Sequence, residues 1–368
     1  MTALPGIGPE ATLVTPTAPD RRGSPIPTWG MITTRFMELR RRRGLMITLM
    51  LVTIGIPTIF LGIRMILHAA APKTYGPAGG YNVYTGLSAG VLYTFGFLVA
   101  ATLGATAGSV DLSEGMFRHL VVTGRSRLAL YLARIPAGLG IIGPLVAIGF
   151  AIVCAVCVYA APSTLDLNGI HVPAGLSKSQ FETWAGDHAN EVTCNLPSDN
   201  VPFNLPCGGP LPPGANPPPS SELRAAAAQV ADQNWDFYRQ QFRVPSDSLM
   251  IKTGLWIELE AAVGFLVGLG LGSLIGQRTV AVVLMIVLEI IITPIAIRAK
   301  IPHMLDLQRG IIGVAMAHLE PGQLPLAFGG GGRDYRVTET TLTAVFVILA
   351  WIIGWSVVGA WRMMTRDA

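Results

Sequence analysis

Six stretches of the chain stay apolar over the length that a helix needs to cross a bilayer. Leu45 to Leu67 is uncharged until Arg64, and Val83 to Val110, Ile135 to Ala161 and Thr340 to Trp361 carry no charge at all. Thr253 to Ile275 holds only Glu258 and Glu260, and Thr279 to Ile297 holds only Glu289. About 20 consecutive apolar residues in a helix span the hydrocarbon core. The pattern therefore predicts an all-α membrane protein with six transmembrane helices. Composition agrees: 51% of the residues are hydrophobic, 13% are charged and the mean hydropathy is +0.51. Soluble domains carry roughly 25% charged residues, so this chain has too few charges to cover itself in water.

The polar stretches between these runs divide the chain. Residues 1–28 are rich in Pro, Thr and Gly and read as a disordered tail without a cleavable signal peptide. Residues 29–44 place Ile32, Phe36 and Leu39 at helical spacing among Arg35 and Arg40 to Arg43. That pattern predicts an amphipathic basic helix lying in the interface before the first span, the plainer alternative being a topology anchor. Spans one to three occupy 45–161, with a basic loop over 110–134. Residues 162–250 form a long polar insertion, spans four and five occupy 251–298, and 299–339 reads as either exterior or re-entrant, with Gly329 to Gly332 as a flexible link. The last span and a short tail fill 340–368.

Charge orients the bundle. With six spans both termini share a side, and that side collects 14 basic against 6 acidic residues, a net of +8. The remainder carries a net of −4. Basic residues stay cytoplasmic, so both termini are expected inside. The overall net charge of +4 is then a matter of topology, and no nucleic-acid partner is implied. The insertion over 162–250 faces outward on this reading. Ser221 is placed to cap a helix over Glu222 to Phe242, with Leu223, Val230, Trp235, Tyr238 and Phe242 as its apolar side. A loop of this length has its own structure or a function, so we expect an exterior subdomain. Cys194 and Cys207 both fall in it and are expected to pair, since disulfides persist outside the cytoplasm. Cys154 and Cys157 lie in the third span and read as core packing despite their C-x-x-C spacing.

Three features carry candidate chemistry. The loop Asp111 to Arg127 reads as a short helix, with Asp111 and Glu114 resembling a capping box and Gly124 placed to end it. Such a helix is marginal alone in water and should dock on the bilayer, the chain or a partner, unless it is a bland basic connector. In the fourth span Gly264, Gly268, Gly272 and Gly276 stack one turn apart, as small residues do where helices pack closely in lipid, within one chain or between two. Glu258, Glu260 and Glu289 are intramembrane carboxyls, which are costly to bury and usually face a cavity or a partner. They are read either as substrate- or proton-handling groups or as protonated structural residues. Pro294 is expected to kink the helix one turn beyond Glu289. No phosphate loop appears, the six histidines have no metal-ligand spacing, and Gly86-Leu-Ser88-Ala-Gly90 matches a nucleophile motif only by chance within an apolar span. The chain is therefore not expected to be an enzyme, nor to hold a metal.

The loop residues Glu114-Gly115-Met-Phe117-Arg118-His119-Leu followed by Thr123-Gly124-Arg125-Ser126-Arg127, with the terminal Arg366-Asp367, resemble the type-2 family of ABC-transporter permeases. The resemblance covers the membrane part of the chain. It implies six spans with both ends inside, an interfacial helix before the first, and an exporter-type subunit in a bacterial plasma (inner) membrane. Glu114, Gly115, Phe117, Arg118, His119, Arg125 and Arg127 would form a coupling helix seated on a separate ATP-binding cassette ATPase. That partner would hold ATP and Mg, leaving no cofactor in this chain. A second permease chain, the same or homologous, would complete the transporter. The large insertion departs from the family and hints at a lid or an extracellular partner. Two alternatives stay open: a proton-coupled secondary transporter using Glu289, and a membrane scaffold or sensor that binds through its outer loop.

Overall fold

The computed structural model describes residues 24–75, 77–113, 126–162, 164–167, 170–173, 175–195, 219–242, 244–298, 303–321 and 339–365. Six of its helices are long and apolar enough to cross a membrane. They coincide with the six apolar runs. Helix α1 (Trp29–Arg41) precedes them. The spans are α2 (Arg43–Ala70), α3 (Tyr81–Val110), α4 (Arg127–Tyr159), α8 (Asp247–Ile275), α9 (Arg278–Ile297) and α12 (Thr341–Thr365). Between α4 and α8 lie a β1–β2 hairpin (Thr164–Leu167, Ile170–Pro173) and helices α5 (Lys178–Asp187), α6 (Ala189–Asn195) and α7 (Ser220–Phe242). Two short helices, α10 (Leu305–Arg309) and α11 (Ile312–His318), follow α9.

Burial separates a central pair from the periphery. The apolar windows of α3 and α8 are 71% and 72% buried, whereas those of α2 and α12 are 22% and 17% buried. The outer faces of the peripheral helices present Ile59, Phe60, Ile63, Ile66, Phe346, Leu349, Ile353 and Val357. A continuous apolar surface of that kind marks contact with lipid or with another protein, and the helix lengths fit a bilayer. The central pair owes its closeness to glycine. A Cβ on Gly264, Gly268 or Gly272 would stand 2.6, 2.3 or 2.5 Å from the carbonyl oxygen of Phe97, Ala101 or Ala105 on α3. Gly104 and Gly108 of α3 meet the backbone of α8 in the same way. The stripe is thus a contact within one chain. Gly276, grouped with the stripe by spacing, instead ends α8 in the left-handed conformation at φ 76°.

Three spans contain a π-helical turn: Leu51–Gly55 in α2, Ser88–Tyr93 in α3 and Val287–Ile292 in α9. Two of these turns precede a proline. The Ile56 N–H bonds the Leu51 carbonyl just before Pro57, and the Thr293 N–H bonds the Leu288 carbonyl just before Pro294. A proline offers no N–H to the carbonyl four residues back, and the widened turn accommodates that loss. Pro57 leaves the Thr53 carbonyl in this position. Gly149 of α4 approaches it so closely that a Cβ would lie 2.0 Å from that oxygen.

The segment between α4 and α8 has a core of its own. Ile170, Val172, Phe181, Ala185, Val192, Ala227, Val230, Ala231 and Tyr238 are buried together. Phe181 and Tyr238 stack at 4.1 Å, and the Tyr238 hydroxyl donates to the Pro173 carbonyl at 2.6 Å while accepting from the Leu176 N–H at 3.2 Å. Ser177 and Gln180 form a capping box that starts α5, and Lys178 pairs with Asp232 of α7. Helix α7 begins at Ser220, with the Glu222 and Leu223 N–H groups on the Pro219 carbonyl. Ser221 therefore lies inside the first turn and is not the cap expected from sequence.

Candidate functional site

Two places gather the residues singled out by sequence. The first is the end of the bundle where α1, the start of α4 and the end of α12 meet. α1 buries Met31, Arg35 and Leu39, with Ile32 and Met31 against Ala129, Leu130 and Ala133 of α4, and Arg35 pairs with Glu38 at 2.6 Å. Ser126 caps α4 by accepting from the Ala129 N–H at 3.1 Å, and its hydroxyl donates to the Ser24 carbonyl at 2.9 Å. Arg127 donates to the Met364 carbonyl at 3.0 Å, in the last turn of α12. Such a cation complements the negative end of the helix dipole. Arg134 is 2% exposed and donates to the Gly108 carbonyl of α3 at 3.3 Å.

The connection between α3 and α4 starts and ends at this corner. The helix of the second span runs on through Ser113, so Asp111 continues that helix. The sequence reading of a new helix capped at Asp111 is corrected on this point, since a cap needs extended backbone. Glu114, Gly115, Phe117, Arg118, His119 and Arg125 lie outside the described residues, as do residues 1–23 of the tail, Cys207 and the Gly329 to Gly332 link.

The second place is inside the bundle. Glu258 and Glu260 are two positions apart and so point to different faces of α8. Glu258 is half-buried and turns toward α4, its carboxyl 3.4 Å from the Cβ position of Gly143. Glu260 is 1% exposed and Glu289 is 4% exposed. These two act electrostatically on each other, on Glu320 beyond α11, and on the Tyr93 hydroxyl of α3. Tyr93 and Glu289 both sit in π-helical turns. Tyr93 stacks flat on Trp256 of α8, with ring centroids 4.9 Å apart and planes 7° apart. Trp256 in turn donates its indole N–H to the Met316 carbonyl of α11 at 3.1 Å. No match to this chain is found among protein-family models, curated proteins or solved structures.

α11 completes the inner site from the far side. Residues Ile312 to Ala317 are all buried. Gly313 lies against Thr293 of α9, where a Cβ would be 2.3 Å from the threonine side chain. Gln308 donates to the Ala296 carbonyl at 3.1 Å, and Trp351 of α12 donates to the Gly310 carbonyl at 2.9 Å. The segment 303–321 thus packs back onto three spans. Sequence reasoning found Glu260 and Glu289 but not Glu320 or Tyr93. Tyr93 lay in an apolar run without any polar pattern, and Glu320 lay in a loop whose burial no periodicity marks. Close by, a cavity of about 640 Å³ is lined by Asp306, Arg309, Gly310, Glu339, Thr340, Thr343 and Val347.

The remaining candidates are structural. The Ser88 hydroxyl is buried and donates to the Tyr84 carbonyl at 2.7 Å, so it is engaged by its own helix. Cys154 and Cys157 are free thiols in α4. Cys194 lies in α6 of the insertion. Among the described residues no group of His, Cys, Asp and Glu could hold a metal ion.

Proposed function

We propose that this chain is the membrane-spanning permease subunit of an ATP-binding-cassette exporter in a bacterial plasma membrane. What supports the reading is the sequence of the Glu114-Gly115 to Arg125-Ser126-Arg127 motif together with the place of its described flanks, the end of α3 and Ser126 at the start of α4. In sequence it joins α3 to α4, and its described end, Ser126 and Arg127, touches Ser24 and the last turn of α12. That corner is the basic end of the bundle, with Arg40 to Arg43, Arg127, Arg134 and Arg362, and basic ends face the cytoplasm. The motif would therefore face a cytoplasmic ATPase subunit that holds ATP and Mg. α1 would lie in the interface, and both termini would be inside.

The physical role of the motif follows from what it joins. α3 and α4 flank it, and α3 packs on α8 through glycines that bring the two backbones into contact. A push on the segment from Glu114 to Arg125 would reach the centre of the bundle through these helices. Two permease chains and two ATPases would form the working unit. The subdomain over residues 164–242 would sit outside as a lid or as a docking surface for an external partner, with a Cys194–Cys207 bond closing its loop.

The test is co-purification and transport. Phe117→Asp or Arg118→Asp should abolish capture of an ATP-binding subunit while the chain still inserts and folds. Transport that persists in the absence of any ATPase would refute the proposal.

A further inference from the structure

We propose that Glu260, Glu289 and Glu320, together with the Tyr93 hydroxyl, form an exchangeable proton-binding site inside the bundle. The inference rests on the geometry of that cluster and holds whether ATP or another source drives the protein.

Four separate pieces of chain bring these groups together. Tyr93 comes from the π turn of α3, Glu260 from the middle of α8, Glu289 from the π turn of α9 and Glu320 from the segment that returns along α11. A carboxylate buried in an apolar medium is unstable unless it is paired or protonated. Several that act on one another cannot all ionise, and their protons then belong to the group as a whole. Among the described residues, the titratable groups that act on Glu260 are Glu289 and Glu320, and those that act on Tyr93 are the same three glutamates. Glu258, the remaining carboxyl on α8, faces α4 instead.

Polar atoms at the site are left open. One Glu260 carboxyl oxygen and the Thr293 hydroxyl are buried with no hydrogen-bond partner. The Tyr93 hydroxyl, on a side chain 4% exposed, faces the Glu289 carboxyl and interacts with it. Buried polar atoms of this kind ordinarily find partners. The Tyr93–Glu289 contact beside an open Glu260 oxygen leaves room for a proton to be redistributed among the carboxyls. The ligand is a proton rather than a metal ion, because the described carboxyls do not converge with metal-ligand geometry.

The site is also tied to α11 through an aromatic neighbour. Trp256 stacks on Tyr93 and holds α11 through the Met316 carbonyl. A change of charge at the cluster alters the field on that indole and the packing of α11 on α8 and α9.

The experiment treats the full chain in lipid nanodiscs with dicyclohexylcarbodiimide, which modifies protonated carboxyls in apolar surroundings. Adducts are mapped by mass spectrometry between pH 5 and pH 9. Labelling of Glu260 or Glu289 is expected, with a yield falling about tenfold or more across the range. Glu260→Gln is expected to move the labelling curve of Glu289 by about one pH unit or more, because a like-charged neighbour has gone. Tryptophan fluorescence should titrate over the same range, and the titrating part should vanish in Trp256→Phe, which separates it from the other six tryptophans. Absence of adducts on all three glutamates overturns the proposal. So does a yield and a fluorescence that stay constant from pH 5 to pH 9, which would mark a permanently protonated structural cluster. Neither result bears on binding of an ATPase, which the Phe117 and Arg118 variants test separately.

Discussion

Single glycines set how closely the spans pack, and their contacts give the sharpest substitutions. Gly268→Val places a branched side chain against the Ala101 backbone, where even a Cβ would stand 2.3 Å from the carbonyl. Overpacking of this kind costs about 1–3 kcal/mol, and thermal unfolding in detergent should show the loss. Gly276→Ala acts differently, since it forces a left-handed residue at φ 76° to carry a Cβ. The expected cost is about 1–2 kcal/mol, with α3 and α8 still in contact. Glu339 gives a pH dependence. Burial at the mouth of the cavity beside α12 raises its carboxyl above the ordinary value, and His318 and Arg309 partly oppose that rise. The neutral form is therefore favoured in the folded protein. Its stabilising effect is complete below the ordinary carboxylate range and is lost as pH rises through the raised folded value. Glu339→Gln should melt like the parent at pH 4 and hold a higher melting temperature at pH 8. Equal melting temperatures at both pH values would show that this carboxyl is not strained by burial.

At the scale of elements, the fold combines two kinds of core. The spans are held by backbone approach and by polar groups satisfied within the bundle, because lipid supplies no hydrophobic drive between helices. The unit over residues 164–242 is held as water-soluble domains are, by an aromatic cluster of Phe181, Trp184, Trp235 and Tyr238. Phe181→Ala should cost that unit about 3–5 kcal/mol. Faster hydrogen exchange confined to α5, α6 and α7 would be the signature, and exchange spreading through the spans would show that the two cores are one. Much of this level was legible in sequence. The apolar runs marked the six spans, and the period of Leu223, Val230, Trp235 and Tyr238 marked the buried face of α7. The π turns were not legible as such. Pro57 and Pro294 predict a disturbed helix, but whether it kinks or widens depends on what packs against the freed carbonyl.

The whole molecule is a bundle with α3 and α8 at its centre and a separate globular unit between α4 and α8. The proposed topology places that unit outside the cell. A membrane-impermeant amine reagent should therefore modify Lys178, whose side chain is 52% exposed, in intact cells as readily as in lysed ones. Protection of Lys178 in intact cells would invert the topology and remove the cytoplasmic position of the Glu114 to Arg127 motif. By itself the sequence marked six apolar runs long enough to cross a bilayer, because the number of apolar residues that a bilayer requires is set by its thickness. It also exposed the glycine row, since helical period puts residues four apart on one face. Only the tertiary structure decided which helix that row meets, that Glu258 and Glu260 part company, and that Tyr93 and Glu320 join Glu260 and Glu289. These are contacts between residues far apart in the chain. Their partners are chosen by the way whole helices pack, and no local pattern of apolar and polar positions encodes that choice.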